Sequence, residues 1–303
     1  MKKYSFIIPH YNSVKSLLKL LDTIPKNDDI QIIIVDDNST DDISAAENYV
    51  TANPQCELYQ NDTGVQSAGA CRNIGLKHAH GKWVLFADAD DYFLDNLQAQ
   101  LDLYYDTIFD VIYFTPTSID LLTNEISDRH LNTKNRIDDY LREPSFKNNV
   151  NLRLRNYVVW SKMISRELLV GFGINFEETY VANDTMFSAK LGSYAIKIKA
   201  TSEVIYCVTK GANTLTSVTR ERYKIRRAAY IRRYLYLKMT LFPNEWKLLK
   251  LAGASQLQHI INEKLGLAIF LETLYLFIKN RVRIFPSEYF NPVFLIRKLR
   301  SKY

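Results

Sequence analysis

The chain has 303 residues, 47% hydrophobic and 24% charged, which are ordinary values for one large globular domain or a domain with an appendage. Its three cysteines, Cys56, Cys71 and Cys207, form no CxxC and its five histidines are scattered, which argues against a zinc site or a disulfide framework and for a reducing, cytoplasmic compartment. The net charge of +6 is uneven: residues 220–303 hold 18 Lys+Arg against 5 Asp+Glu, a surplus of +13, so residues 1–219 carry −7.

The first apolar run, "YSFIIP", follows a basic start but is broken by Pro9, so it reads as a strand and not a signal peptide. "SVKSLLKLLDTI" sets Val14, Leu17, Leu18 and Leu21 at helical spacing, with Ser13 as N-cap. "IQIIIVDD" is continuously apolar, the pattern of a strand buried on both faces. "STDDISAAENYV" opens with capping residues and early acids and continues as a helix. "CELYQ" reads as a short strand, "VQSAGACRNIGLKHAH" as a helix ending near Gly81, and "KWVLFAD" as another buried strand. "DNLQAQLDLYYD" reads as a helix and "DVIYFTPTS" as a strand, whereas residues 120–155 are polar and read as a loop or variable insertion. "YVVWSKMISRELLVGFGINFEE" mixes short elements, "NDTMFSAKLGSYA" is helical and "EVIYCVTK" is a strand. Helical blocks follow near 219–240, 244–262 and 264–280. The longest apolar stretch, "LGLAIFLETLYLFI", is interrupted by Glu272 and falls short of the ~20 residues that a spanning helix needs.

Strands alternating with helices imply an α/β fold with a mostly parallel, doubly wound sheet, in which ligands bind beyond the carboxyl ends of the strands. Three polar clusters stand there: "PHYN", "DDNST" and "DADD". In the last, Asp88 and Asp90 lie two apart on extended chain and point the same way, while Asp91 points the other way. Two convergent carboxylates can hold Mg²⁺ or Mn²⁺ and bridge it to a diphosphate; they can equally cap a helix beginning near Asp95. In "DDNST" one Asp can accept the ring N–H of a base such as uracil, or both can serve turn and cap chemistry. Arg72 stands among small residues in "SAGACRNIGL", where it can pair with a phosphate or with the nearby aspartates.

"SFIIPHYN", "IIIVDDNSTDD", "AGACRNIGLKHAHGKWVLFADADD", "VVWSKMISRELL" and "ANDTMF" occur in the order and spacing of the family 2 glycosyltransferases, and the chain resembles that family over roughly residues 4–217. The resemblance implies the GT-A fold and an inverting sugar transfer of the kind that builds bacterial surface polysaccharides. It places Pro9, His10 and Tyr11 in a nucleotide-contacting loop, Asp37 at the base of a nucleotide that is usually uridine, and Arg72 beside that nucleotide. Asp88, Ala89 and Asp90 match the D-x-D that meets the metal and the ribose, with Asp90 as the usual metal contact. Asp184 matches the catalytic base, although Asn183 stands where the family usually has Glu and so removes a supporting charge. Trp160 and Lys162 match a segment that lines the cleft on the acceptor side, where Asn183 is placed as well.

These residue types suit the chemistry. An acceptor hydroxyl is a poor nucleophile, so a carboxylate must take its proton as it attacks the sugar. The leaving nucleoside diphosphate needs charge stabilisation, which Mn²⁺ or Mg²⁺ supplies. Asp184 can also act as a helix N-cap, a duty Asn183 can perform as well.

The domain expectation is a nucleotide-sugar-binding unit at 1–218 and a basic helical region at 219–303. In "TRERYKIRRAAYIRRYLYLKM", Arg222, Arg226 and Arg233 interleave with Tyr223, Tyr230 and Tyr234. Three readings fit: an anionic membrane surface, a solvated helix face, or nucleic acid, for which no motif is present. The first ranks highest because the implied acceptor is a glycan or lipid-linked saccharide at the cytoplasmic membrane face. The terminal "FPSEYFNPVFLIRKLRSKY" adds apolar and basic residues in the same sense. Two rivals stand beside this reading: a phosphatase or phosphotransferase that uses the D-x-D, and a non-catalytic nucleotide-binding scaffold on the membrane.

Overall fold

A computed structural model of the chain describes residues 2–211 and 218–285. Residues 1–215 and 216–303 form two compact units. The first begins with β1 (Tyr4–His10), α1 (Val14–Asp22), β2 (Ile30–Asp36), α2 (Ser44–Ala52), β3 (Cys56–Gln60), α3 (Ala68–His78) and β4 (Trp83–Phe86). The edge strand β5 (Tyr92–Phe93), α4 (Leu97–Asp102) and β6 (Val111–Asp120) follow. Then come α5 (Leu131–Arg142), α6 (Phe146–Arg155), β7 (Lys162–Ser165), α7 (Arg166–Gly171), α8 (Asp184–Tyr194) and β8 (Ile198–Lys210).

The sheet order is β3-β2-β1-β4-β7-β6-β8-β5. β1 lies parallel between β2 and β4, so the clusters that follow these three strands share one edge of the sheet. The other half departs from a plain doubly wound sheet. β7 runs antiparallel to both β4 and β6, and β5 runs antiparallel to β8.

The isoleucine-rich strands are apolar throughout because they serve two cores. Tyr4, Phe6 and Ile8 face one core with Ile30, Ile32 and Ile34 of β2. Ile7, Ile33 and Val35 face the other, against Cys71 and Ile74 of α3. Each fully buried isoleucine contributes about 1.5–3 kcal/mol relative to exposure.

The expected loop at 120–155 is instead two helices, α5 and α6, whose buried faces include Ile137, Val150, Leu152 and Leu154. Their mean hydropathy is low and their apolar faces are narrow, so the segment read as polar loop.

The second unit consists of α9 (Arg220–Thr240), α10 (Pro243–Leu249), α11 (Ala254–Asn262) and α12 (Leu267–Lys279). Thr219 caps α9 by accepting the Arg222 N–H, and Pro243 opens α10, where its missing N–H costs nothing. Tyr223 and Tyr234 of α9 pack with Leu257, Ile260, Ile269 and Phe277 in a core of its own. Arg233 is buried too, and Arg227 pairs with Glu272 at 2.6 Å. Tyr223, Arg227, Arg233 and Tyr234 of α9 are therefore interior, which corrects the expectation that Arg233, Tyr223 and Tyr234 face a membrane. Of the terminal segment 285–303, all but Phe285 lies outside the described residues.

Candidate active site

At the shared sheet edge, each cluster is held by a different set of bonds. Pro9 and His10 end β1, opposite Val35 and Asp36 of β2, and Tyr11 beyond them is exposed. The His10 ring is buried, its Nδ1 hydrogen-bonded to the Ser13 hydroxyl at 2.9 Å. Burial lowers its pKa, only partly offset by Asp36 at 3.8 Å from Nε2, which has no hydrogen-bond partner among the described residues. Asp36 is committed to the turn: it accepts from the Ser39 N–H and hydroxyl and from Gln60 Nε2. Asp37, the expected base-recognising residue, accepts from Asn61 Nδ2 at 2.5 Å and from the Ser67 N–H at 3.2 Å through one oxygen.

Arg72 is the hub. It lies buried in α3, its Nη2 donating to Asp88 at 2.6 Å and its Nη1 to Asn183 Oδ1 at 3.1 Å. Its guanidinium carbon is 5.3 Å from the Phe176 ring centroid, and its Nε lacks a partner among the described residues. Of the two sequence readings of Arg72, the ion pair to Asp88 is the one present.

The small residues around Arg72 have a specific use. A Cβ on Gly69 would stand 2.3 Å from the Glu177 carbonyl oxygen and 2.8 Å from Asn183 Cβ. Only glycine lets the loop before α8 sit this close to α3. Asn73 pins the same loop by accepting from the Phe176 N–H and donating to the Phe176 carbonyl and to Glu178. The Ser67 hydroxyl donates to the Thr179 carbonyl. The loop arrives at Asp184 through Ala182, which adopts φ 59°, a left-handed conformation costly for a residue with a Cβ.

Asn183 occupies the N-cap position of α8 but makes no side-chain cap bond, since its side chain is turned to Arg72 and to the Thr179 carbonyl. Asp184 is the first helical residue, and its carboxylate has no side-chain hydrogen bond among the described residues. Desolvation raises its pKa and the Asp88 charge adds to this, while Arg72 and Lys162 pull it down. A carboxylate half out of water, not tied into a cap and flanked by cations is suited to accepting a proton.

The D-x-D segment is fixed from below. Asp91 is buried and accepts from the Tyr206 hydroxyl and the Thr209 N–H, both at 2.7 Å. Burial and its two acidic neighbours push its carboxyl well above the usual range. The Tyr206 hydroxyl also accepts the Asp88 N–H at 3.0 Å. Thr209 donates its hydroxyl to the Asp90 carbonyl, and Arg129 donates to the Thr209 carbonyl. Ala89 is buried between the two acids, and Asp90 reaches solvent. Desolvation and the Asp88 charge raise the Asp90 pKa, and Arg129 offsets this in part.

That repulsion is the kind a cation relieves. Among the described residues no group of three His, Cys, Asp or Glu forms a metal cluster, and one Asp88 oxygen is held by Arg72. Asp90 with Asp88 offers two carboxylates, a donor set that suits Mg²⁺ or Mn²⁺ if waters or phosphate oxygens complete the shell. The alternative, a cap for the helix near Asp95, is absent: α4 begins after Asn96 with no side-chain cap bond.

Of the expected acceptor-side residues, Trp160 and Lys162 are interior. Trp160 is buried and stacked on Tyr206, ring centroids 5.8 Å apart. Lys162 is only 2% exposed, its ammonium turned to the Asn156 and Val158 carbonyls at 3.3 and 2.5 Å and lying 5.3 Å from the Tyr113 ring centroid. Ser161 between them takes φ 56°. Burial lowers the Lys162 pKa to about 7, against a small opposing pull from Asp184. Between pH 7 and about 10.5 the unfolded chain therefore binds a proton here that the folded chain does not, and stability rises with pH across that window. Lys162→Met is expected to flatten this rise, a comparison made by denaturant melts of both proteins from pH 7 to 10.

Sequence reasoning missed Tyr206, Asn61, Ser67 and Arg129. Tyr206 sits in a strand that was recognised, but what it supports, Asp88 and Asp91, is more than a hundred residues away in the chain.

The model of the family described as glycosyl transferase family 2 matches residues 5–169. The poly(ribitol-phosphate) β-N-acetylglucosaminyltransferase TarS of Staphylococcus aureus is 36% identical over 96 residues, which is 30% of this chain but only 17% of TarS. The uncharacterised glycosyltransferase EpsJ of Bacillus subtilis is 26% identical over 232 residues, 71% of this chain and 63% of EpsJ. The solved structure of S. aureus TarS 1–349 in complex with UDP-GlcNAc superposes with TM-score 0.69 at 22% identity, covering 92% of this chain and 81% of that one. The mannosyltransferase PcManGT of Pyrobaculum calidifontis, in complex with GDP-Man and Mn²⁺, gives 0.57 at 17%, covering 92% and 82%. At such identities the structural likenesses speak for the fold, and that fold is GT-A. With more than half of its length matched by the family model, and with the fold of its structural neighbours, the chain belongs to glycosyl transferase family 2.

Proposed function

We propose that the protein is a metal-dependent, inverting glycosyltransferase that moves a sugar from a UDP-sugar to a glycan or lipid-linked acceptor during cell-surface polysaccharide synthesis, at the cytoplasmic face of the membrane. The observation that carries this reading is the meeting of Asp88 and Asn183 on Arg72, which sets the D-x-D beside the unbonded Asp184 carboxylate. Asp184 takes the proton of the acceptor hydroxyl. Asp37, braced by Asn61 and Ser67, receives a base N–H, which suits uracil. Arg72, beside the D-x-D through its bond to Asp88, brings a positive charge to the diphosphate. Asp88 and Asp90 would hold Mn²⁺ or Mg²⁺, which when bound neutralises charge on the departing diphosphate.

UDP as the carrier draws support from TarS, which was solved with UDP-GlcNAc, and the divalent cation from PcManGT, solved with Mn²⁺. A phosphatase would need Asp88 as a free nucleophile, whereas Arg72 holds it. The test is a melting-temperature screen of nucleotide sugars with and without Mn²⁺. Stabilisation by a UDP-sugar that disappears on chelation is expected. A protein indifferent to every nucleotide sugar would overturn the reading.

A further inference from the structure

The second unit carries a surface that its own core does not use. On α12, Leu267, Leu271, Tyr275 and Ile278 recur at helical spacing and are 54–71% exposed. The opposite face, Ile269, Thr273 and Phe277, is buried. An isolated exposed leucine is unremarkable, but four large apolar residues along one stripe of a 13-residue helix form a continuous apolar face about 17 Å long. At its start the stripe runs into an apolar groove of about 530 Å³ between α11 and α12, lined by Ile260, Ile261, Leu267 and Phe270 with Lys264 at the rim.

The charge around this face selects its occupant. Lys264 stands at one end; Lys279, Arg281 and Arg283 stand at the other, all exposed. Arg283 is held in place through its backbone, by the Tyr234 hydroxyl and the Gly253 N–H. Of the acids nearby, Glu272 is already paired with Arg227, and Glu263 lies 4.0 Å from His259. A second copy of the chain docking through the same stripe would bring these cations against their own equivalents. A surface that is apolar in depth and anionic at its rim meets both features at once.

We infer that the exposed face of α12 and the groove beside it dock on an anionic lipid bilayer, Leu271 and Tyr275 entering the acyl boundary and the flanking cations meeting headgroup phosphates. This rests on the reading of a membrane-proximal transferase, and it moves the contact from α9, whose Tyr223 and Tyr234 are interior, to α12.

The test mixes the full chain with vesicles of phosphatidylglycerol and phosphatidylcholine, or of phosphatidylcholine alone, and reads the sedimented fraction. Binding at least about tenfold stronger to the anionic vesicles is expected. Leu271→Glu with Tyr275→Glu should lower that binding about tenfold at an unchanged melting temperature. Lys279→Glu with Arg281→Glu, which leaves the apolar stripe intact, should abolish the preference for anionic lipid. Failure of the wild type to bind, full binding by the apolar-face variant, or an unchanged preference after charge reversal each overturns the inference. So does a wild-type dimer in solution that the apolar-face variant splits, since the face then belongs to a second copy. UDP-induced stabilisation with Mn²⁺ is measured on the same samples. Vesicle binding without any UDP response would sink the transferase reading and leave the lipid surface standing.

Discussion

Asp184→Asn is expected to lower the rate of sugar transfer about a thousandfold while leaving affinity for UDP within about twofold. The substitution keeps the shape of the side chain and removes its ability to accept a proton. Because the carboxylate makes no side-chain hydrogen bond among the described residues, the amide leaves no structural partner stranded. Arg72, the nearest named contact of the loop, bonds Asn183 instead. The pH profile follows from the causes of the shift. Desolvation and Asp88 lift the Asp184 pKa above the ordinary carboxylate value, so activity should fall as pH drops through that raised value and be full above it. Release of UDP from a UDP-sugar with acceptor present measures the rate, and calorimetry with UDP measures binding. Turnover at the wild-type level in the variant would remove Asp184 from the mechanism.

Asp90→Ala should weaken UDP binding in the presence of Mn²⁺ at least about tenfold, or roughly 1.4 kcal/mol, while UDP binding in a chelator stays as it was. The argument is the small number of protein ligands. With Asp88 partly engaged by Arg72 and no third acid or histidine grouped with the pair among the described residues, losing Asp90 removes most of what the protein offers a cation. The variant also removes the desolvation cost and the Asp88 repulsion that raise the Asp90 pKa, so the folded protein without ligand should be no less stable. Equal affinity for UDP and Mn²⁺ in wild type and variant would show that the cation, if bound, is held elsewhere.

Much of the sheet was readable because its chemistry is local. The unbroken isoleucines of β1 and β2 announce strands covered on both faces, and the polar clusters after them fall where a parallel sheet gathers its strand ends. The antiparallel insertion of β7 was not readable, since "WSKMISREL" carries no sign of direction. α5 and α6 were missed because so few of their positions are apolar. Burial of Arg227 and Arg233 was missed for a related reason: Arg227 is neutralised by Glu272 from another helix, 45 residues on, and a linear pattern of Arg and Tyr looks the same whether solvent or a partner carboxylate awaits it. In the site, residue types were legible while their division of labour was not. Asp36 serves the turn and Asp37 does not, and Asp91 serves β8 while Asp90 reaches solvent; only the fold separates these neighbours.

One guanidinium holding two loops has a thermodynamic corollary. Arg72 satisfies Asp88 of the D-x-D and Asn183 beside Asp184, so anything that draws Asp88 away alters how firmly the chain before α8 is anchored. If nucleotide and acceptor take the proposed places on either side of Arg72, their binding is linked, and by the same free energy in either direction. A saccharide that tightens the hold on the nucleotide must itself be held tighter once the nucleotide is in place.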